Sequence, residues 1–183
     1  MLTMGKIIAM KKIKEEYKDI NANPISNIGV TVGLLDEDNI FEWKCTLMGP
    51  KDTSYAGGLF FLRVIFPENY PNSAPDVNFI TPIYHINVNP RKAKFAGAEK
   101  LGHVCISTLN WWKPEYKMRE VLTNIFALFY MGNPDSPYGL ERAEELKHNK
   151  ALYEKKIKYF TKKYANPMNA EKVYDNDWDF SYN

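Results

Sequence analysis

Apolar residues recur at Met10, Ile13, Tyr17 and Ile20, spaced 3, 4 and 3. That spacing lines up one stripe and predicts a helix over residues 4–21. Lys6, Lys11, Lys12, Lys14 and Lys18 lie mostly off the stripe and form either a solvated face or a face that docks a partner. Pro24 restricts the residue before it and ends the helix. From residue 30 the period changes to two. Val30, Val32 and Leu34 alternate with Thr31 and Gly33, and after a turn at Asp36–Asn39 the residues Phe41, Trp43, Cys45 and Leu47 alternate with Glu42, Lys44 and Thr46. Both runs read as half-buried strands. Leu59–Phe66 is apolar on both faces apart from Arg63, as in a central strand, and Val77 and Phe79 mark a short last one. The short loops between strands favour an antiparallel meander.

The 3.6-residue period returns at Met118–Met131, with Val121, Leu122, Ile125, Phe126, Leu128 and Phe129 apolar on more than one face. Gly132-Asn-Pro134 stops that helix. Two more are predicted at Leu140–His148 and Lys150–Tyr164, the last with a stripe of Tyr153, Ile157, Phe160 and Tyr164. Strands and helices are segregated along the chain. The expected class is therefore α+β, a four-stranded antiparallel meander sheet flanked by an N-terminal helix and three C-terminal helices. Residues 1–165 make the core domain and 166–183 a tail. The tail carries Lys172 against Glu171, Asp175, Asp177 and Asp179, with Tyr174, Trp178, Phe180 and Tyr182 among them. It is either disordered or folded back on a basic patch.

Composition narrows the possibilities. With 183 residues, 45% apolar and 14% aromatic, the chain can bury a core. A net charge of +2 gives no support for a nucleic-acid binder. Two cysteines make no disulfide framework. No apolar run approaches the ~20 residues that cross a bilayer, and the N-terminus lacks the apolar stretch of a secretion signal. A soluble protein of a reducing compartment, with no membrane partner, is expected.

Candidate chemistry gathers between Tyr84 and Pro114. The stretch reads Tyr-His-Ile-Asn-Val-Asn-Pro, a polar insert, Gly-His-Val-Cys-Ile-Ser, then Trp-Trp-Lys-Pro. It holds Cys105, His85, His103 and Asn87. Cys45, by contrast, alternates with polar residues between Trp43 and Leu47 and is expected to be an inert core thiol. Several thiol chemistries fail for Cys105. No Cys-x-x-Cys pair exists for redox work, and position 111 is Trp111 where a thiol phosphatase needs arginine. The protease signatures are missing, and the cysteines and histidines have no zinc spacing. His103 is a possible base, although no orienting acid is evident. What survives is a thiol that carries an acyl group, with an asparagine placed to stabilise charge.

At these residues the sequence resembles the ubiquitin-conjugating enzymes, over roughly residues 5–165. The landmarks come in the family's order. Phe41-Glu-Trp-Lys-Cys-Thr-Leu-Met-Gly-Pro50 and Tyr55-Ala-Gly-Gly58 are followed by Phe66-Pro-Glu-Asn-Tyr-Pro71 and Ala74-Pro75. Tyr84-His-Ile-Asn87 stands where the family has His-Pro-Asn, and Gly102-His-Val-Cys-Ile-Ser107 resembles its Gly-x-(Ile/Val)-Cys-Leu. Trp112-Lys-Pro114 and Asn133-Pro-Asp-Ser-Pro137 complete the set. No single motif is decisive; the ordered set is specific.

The resemblance implies that Cys105 takes ubiquitin from a ubiquitin-activating enzyme as a thioester and passes it to a substrate lysine with a ligase of RING type. It implies that Asn87 either hydrogen-bonds the developing oxyanion, a contact worth roughly 2.7–4 kcal/mol of barrier, or braces the loop around the site. His85 is expected to be structural rather than a general base. The implied protein is a cytoplasmic or nuclear monomer that needs no cofactor or metal of its own, since ATP is used by the activating enzyme. A SUMO-like or NEDD8-like modifier, or a non-catalytic scaffold, remains open.

Four departures stand out. Ile86 replaces the family's proline. Cys105 lies 20 positions after His85, more than in most members, and the extra residues, about Asn89 to Leu101, carry Arg91, Lys92, Lys94 and Lys100 against Glu99. That basic loop either acts on the thiol or a partner, or is a solvated insertion. Ser136, with Asp135 adjacent, stands where the family often places an acid near the incoming lysine. Asn72 stands where ligase-binding members often carry an aromatic.

Overall fold

A computed structural model of the chain describes residues 3–25, 28–92, 94, 100–168 and 177–182. Helix α1 (Met4–Ala22) leads into four strands, β1 (Val30–Leu34), β2 (Glu42–Met48), β3 (Leu59–Ile65) and β4 (Asp76–Phe79). Helices α2 (Ser107–Asn110), α3 (Met118–Ala127), α4 (Leu140–His148) and α5 (Lys150–Tyr164) follow. The strands pair in sequence order, each antiparallel to the next, as the short loops between them predict.

The register places Val32 beside Cys45, Cys45 beside Leu62, and Leu62 beside Phe79. These side chains share one face and are buried, as are Trp43, Val64 and Val77 in the next row. Phe61 points to the opposite face and is still only 5% exposed. The Lys44 ammonium lies 4.5 Å from the Phe61 ring centroid and helps to cover it.

Helix α1 is rotated slightly from its expected stripe. Ala9, Ile13, Glu16 and Ile20 are buried, while Met10 and Tyr17 are half-buried. An acid in the buried row escapes a hydrophobicity pattern, and its partners explain it. The Glu16 carboxylate accepts from the Tyr70 hydroxyl at 2.8 Å and from the Met118 N–H at 2.7 Å. It thereby supplies an anion to the first turn of α3, where unpaired N–H groups and the helix dipole favour one.

Helix α3 stops at Ala127, short of the expected Met131. Beyond it the N–H groups of Leu128, Phe129 and Tyr130 bond to the carbonyls three residues back. The tightened turn leads into Gly132-Asn-Pro134. The short α2 after Cys105 was not anticipated, because four residues carry no readable period.

Candidate active site

Gly102 shapes the approach to the thiol. Its φ is +78°, and a Cβ there would sit 2.0 Å from the Phe79 carbonyl oxygen. Only glycine fits both the conformation and the space. The chain then runs between the edge of β4 and the segment after Tyr84. Asn78 bridges His103, Val88 bridges Val104, and the Cys105 N–H donates to the Asn87 carbonyl at 2.9 Å. Cys105 and Asn87, far apart in the chain, are thus adjacent by backbone pairing.

The Cys105 side chain is half-buried. Its Sγ receives a hydrogen bond from Nδ2 of Asn110, at 3.2 Å. The second cysteine is different in kind. Cys45 is 0% exposed, and burial pushes its thiol up to about 12. It has neither access nor a tendency to ionise.

Asn87 is fully buried, and its carboxamide is saturated by one loop. Nδ2 donates to the Asn133 carbonyl at 2.8 Å and the Ser136 carbonyl at 2.9 Å, while Oδ1 accepts from the Asn133 N–H at 2.6 Å. Both amide hydrogens are used. Ser136 and Asp135 are exposed on that loop. The Asp135 N–H donates to the Asn133 side chain at 2.9 Å, which tightens the turn.

His85 is 2% exposed. Nδ1 accepts from the Asn87 N–H at 3.0 Å, which leaves the proton on Nε2 to be donated to the Leu128 carbonyl at 3.0 Å. Burial lowers its pKa to about 4, so the ring is neutral. It ties the end of α3 to the Asn87 segment.

Ile86 is 0% exposed and packs on Gly132, where an added Cβ would meet its side chain at 2.8 Å. Its N–H, which a proline would lack, donates to the Tyr153 hydroxyl at 3.1 Å. The Arg142 guanidinium lies beneath the segment. It donates to the His85 carbonyl at 3.2 Å and stacks over the rings of Tyr84 and Phe180, 4.7 and 4.8 Å from their centroids.

The His103 Nδ1 lies 3.9 Å from the Asp76 carboxylate, and its ring meets that of Tyr138 edge-on, with the centroids 6.3 Å apart. The neighbouring His103 and Lys100 side chains hold the Asp76 carboxyl far below the usual carboxylate range. The ends of the insert are pinned. Asn89 accepts from the Gly102 N–H at 2.7 Å and donates through its side chain to the Lys100 carbonyl at 3.0 Å. Residues 93 and 95–99, with Glu99, lie outside the described residues.

The described part of the tail, 177–182, lies back on the core. Asp177 accepts from the Lys92 N–H at 2.6 Å and pairs with Arg91, the Trp178 N–H donates to the Pro90 carbonyl at 3.0 Å, and Asp179 pairs with Lys163. Among the described residues no three His, Cys, Asp or Glu side chains converge as metal ligands, and no helix is long and apolar enough to cross a membrane.

Sequence reasoning missed Asn110, Tyr153 and Arg142. Asn110 lies five residues after the thiol, a spacing that means something only once the chain turns into α2. Tyr153 and Arg142 reach the site from helices more than fifty residues downstream.

A family model described as ubiquitin-conjugating enzyme matches residues 12–161 of this chain. The chain is 34% identical over 159 residues to ubiquitin-conjugating enzyme E2 13 of Arabidopsis thaliana, covering 79% of this chain and 89% of that protein. It is also 34% identical over 157 residues to ubiquitin-conjugating enzyme E2 14 of Schizosaccharomyces pombe, covering 85% of this chain and 93% of that one.

Proposed function

The chain belongs to the ubiquitin-conjugating enzyme family, and from that premise we propose that Cys105 carries ubiquitin as a thioester. The observation that carries the reading is the contrast between the two thiols. Cys105 is accessible and hydrogen-bonded at sulfur, whereas Cys45 is sealed in the core with its thiol pushed up to about 12.

In the charging step the Cys105 thiolate attacks the C-terminal carbonyl carbon of ubiquitin, held as a thioester on the activating enzyme. A new carbon–sulfur bond forms, and the activating enzyme's thiolate leaves with the electron pair of the old one. In the transfer step a substrate lysine amine attacks the same carbon, the bond to Cys105 breaks, and an isopeptide bond remains. A thioester suits this relay because thiolate leaves readily while the carbonyl stays electrophilic.

The lysine's approach is shaped by the Asn133–Ser136 loop, which Asn87 holds. Asn87 acts here as a brace rather than as an oxyanion donor, since both its amide hydrogens are engaged. Ser136 and Asp135, exposed on that loop, are the candidates to meet the amine. His85, neutral and held at both nitrogens, fixes the segment without exchanging protons. On this reading residues 1–165 are the conjugating domain and 166–183 a tail. The partners are the activating enzyme and a RING ligase, the protein works as a monomer in cytoplasm or nucleus, and ATP is spent by the activating enzyme.

The test is a charging assay with ubiquitin, its activating enzyme and ATP, run on a non-reducing gel. A band larger by one ubiquitin, lost on reduction and absent in Cys105→Ala but present in Cys45→Ala, is expected. Charging only by another modifier would change the substrate and keep the relay. Equal loss in both variants, with folding intact, would sink the assignment of the nucleophile, and failure of the wild type with every modifier would favour a scaffold.

A further inference from the structure

Asn87, for which the resemblance leaves open an oxyanion donor or a brace, is closed off, and a second carboxamide stands at the reacting atom. Asn87 is 0% exposed and spends both amide hydrogens on the Asn133 and Ser136 carbonyls. Asn110 is exposed, and its Nδ2 lies 3.2 Å from the Cys105 sulfur.

Both ends of that contact are fixed by backbone. The Cys105 N–H is held by the Asn87 carbonyl at 2.9 Å. Asn110 closes the short α2: its N–H bonds to the Ile106 carbonyl at 3.0 Å, the Trp111 N–H bonds to the Ser107 carbonyl at 2.9 Å, and Leu109 anchors the turn in the core. The backbone therefore places the Asn110 side chain within reach of the sulfur.

We infer that Asn110 is a catalytic residue of the thioester cycle, donating an N–H to Cys105 Sγ whenever that sulfur carries negative charge. The inference rests on the reading of Cys105 as the thioester carrier. A neutral thioester sulfur is a poor acceptor, whereas a thiolate takes a charge-assisted hydrogen bond. An interaction that strengthens as charge develops lowers a barrier.

Charge develops on this sulfur in transfer. The lysine nitrogen adds to the carbonyl carbon, the tetrahedral intermediate collapses, and the carbon–sulfur electron pair returns to Sγ as the amine proton passes to solvent. Asn110 meets that electron pair. In charging the sulfur gives up its negative charge as it attacks, so the same bond does not lower that barrier. Transfer should therefore depend on Asn110 more than charging does.

The experiment compares wild type, Asn110→Ala, Asn110→Lys and the near-isosteric Asn110→Asp, which replaces the N–H donors with an anion. The position is exposed, so circular dichroism and the melting midpoint should not move. Single-turnover discharge of the thioester to free lysine should slow by roughly tenfold in Asn110→Ala, the size of one hydrogen bond to a charged atom. It should slow further in Asn110→Asp, stay near wild type in Asn110→Lys, and fall more than charging does.

A second readout needs no modifier. The rate of Cys105 alkylation by iodoacetamide is followed against pH, with Cys45 silent because it is buried. The half-maximal pH should rise in Asn110→Ala and rise more in Asn110→Asp. Wild-type discharge in Asn110→Asp, or an unchanged alkylation curve, overturns the inference. Failure of the wild-type protein to charge with any modifier overturns the functional reading instead, and the alkylation curve still decides the contact.

Discussion

The backbone N–H of Ile86 donates to the hydroxyl of Tyr153 at 3.1 Å, across 67 positions of sequence. Beside it, the Tyr55 hydroxyl donates to the Tyr84 carbonyl at 2.9 Å. A family proline at position 86 would leave no donor to satisfy. With isoleucine there, α5 supplies the acceptor. Tyr153→Phe should orphan a buried N–H and cost about 1–3 kcal/mol, measured by urea denaturation. In an Ile86→Pro background the same change should cost clearly less, because the donor is gone. Equal costs in both backgrounds would show that the hydroxyl acts elsewhere.

Acid should loosen the same segment. The folded His85 has a pKa near 4 against 6.5 when unfolded, because burial opposes the imidazolium. Between these values the unfolded chain binds more protons, so stability is full above pH 6.5 and falls as pH drops toward 4. The whole shift is worth about 3 kcal/mol. The depressed Asp76 carboxyl adds its own loss only below the ordinary carboxylate value of 3.8. Unfolding free energies of the wild type and His85→Gln, taken from pH 7.5 to 4.5, should converge as pH falls. A constant gap would remove His85 as the cause.

The sheet was legible because alternation is a local signal. Trp43, Cys45 and Leu47 all face the core as their spacing predicts. The thiol and its neighbours were legible only as an ordered set of landmarks along the chain. What stayed hidden depends on distance or on burial of polar groups. Glu16 sits in the buried row of α1 because Tyr70 and the start of α3 supply its partners, and no hydrophobic pattern anticipates that. Likewise Asn110 is an ordinary polar residue until a four-residue helix turns it toward Cys105.

The tail offers a third test. Trp178 is 6% exposed and its N–H bonds to the Pro90 carbonyl, while Asp177 accepts from the Lys92 N–H and pairs with Arg91. These contacts join 177–182 to the start of the insert. Trp178→Ala should release both, since the indole supplies most of the apolar area there. Amide exchange at Lys92 should then accelerate by about tenfold or more, reflecting roughly 1.4 kcal/mol of lost local protection. High salt alone should give a smaller effect by screening the exposed Arg91–Asp177 pair. Unchanged exchange at Lys92 in Trp178→Ala would mean that the insert holds its place without the tail.

The sharpest test of the site concerns Asn87. Because its carboxamide spans the Asn133 carbonyl, the Asn133 N–H and the Ser136 carbonyl, Asn87→Ala should free the loop proposed to receive the lysine. Charging of Cys105 depends on access to sulfur and should change by no more than about threefold. Discharge to lysine depends on that loop's position, and a displacement of about 1 Å can cost on the order of 100-fold. A slowed discharge alone would fit an oxyanion donor equally well, so a second measurement is needed. Bracing predicts that the Asn133 amide, bonded at 2.6 Å to Asn87 Oδ1, exchanges faster with solvent in Asn87→Ala. Slow discharge with unchanged Asn133 exchange would place Asn87 at the reacting carbonyl and give up the brace.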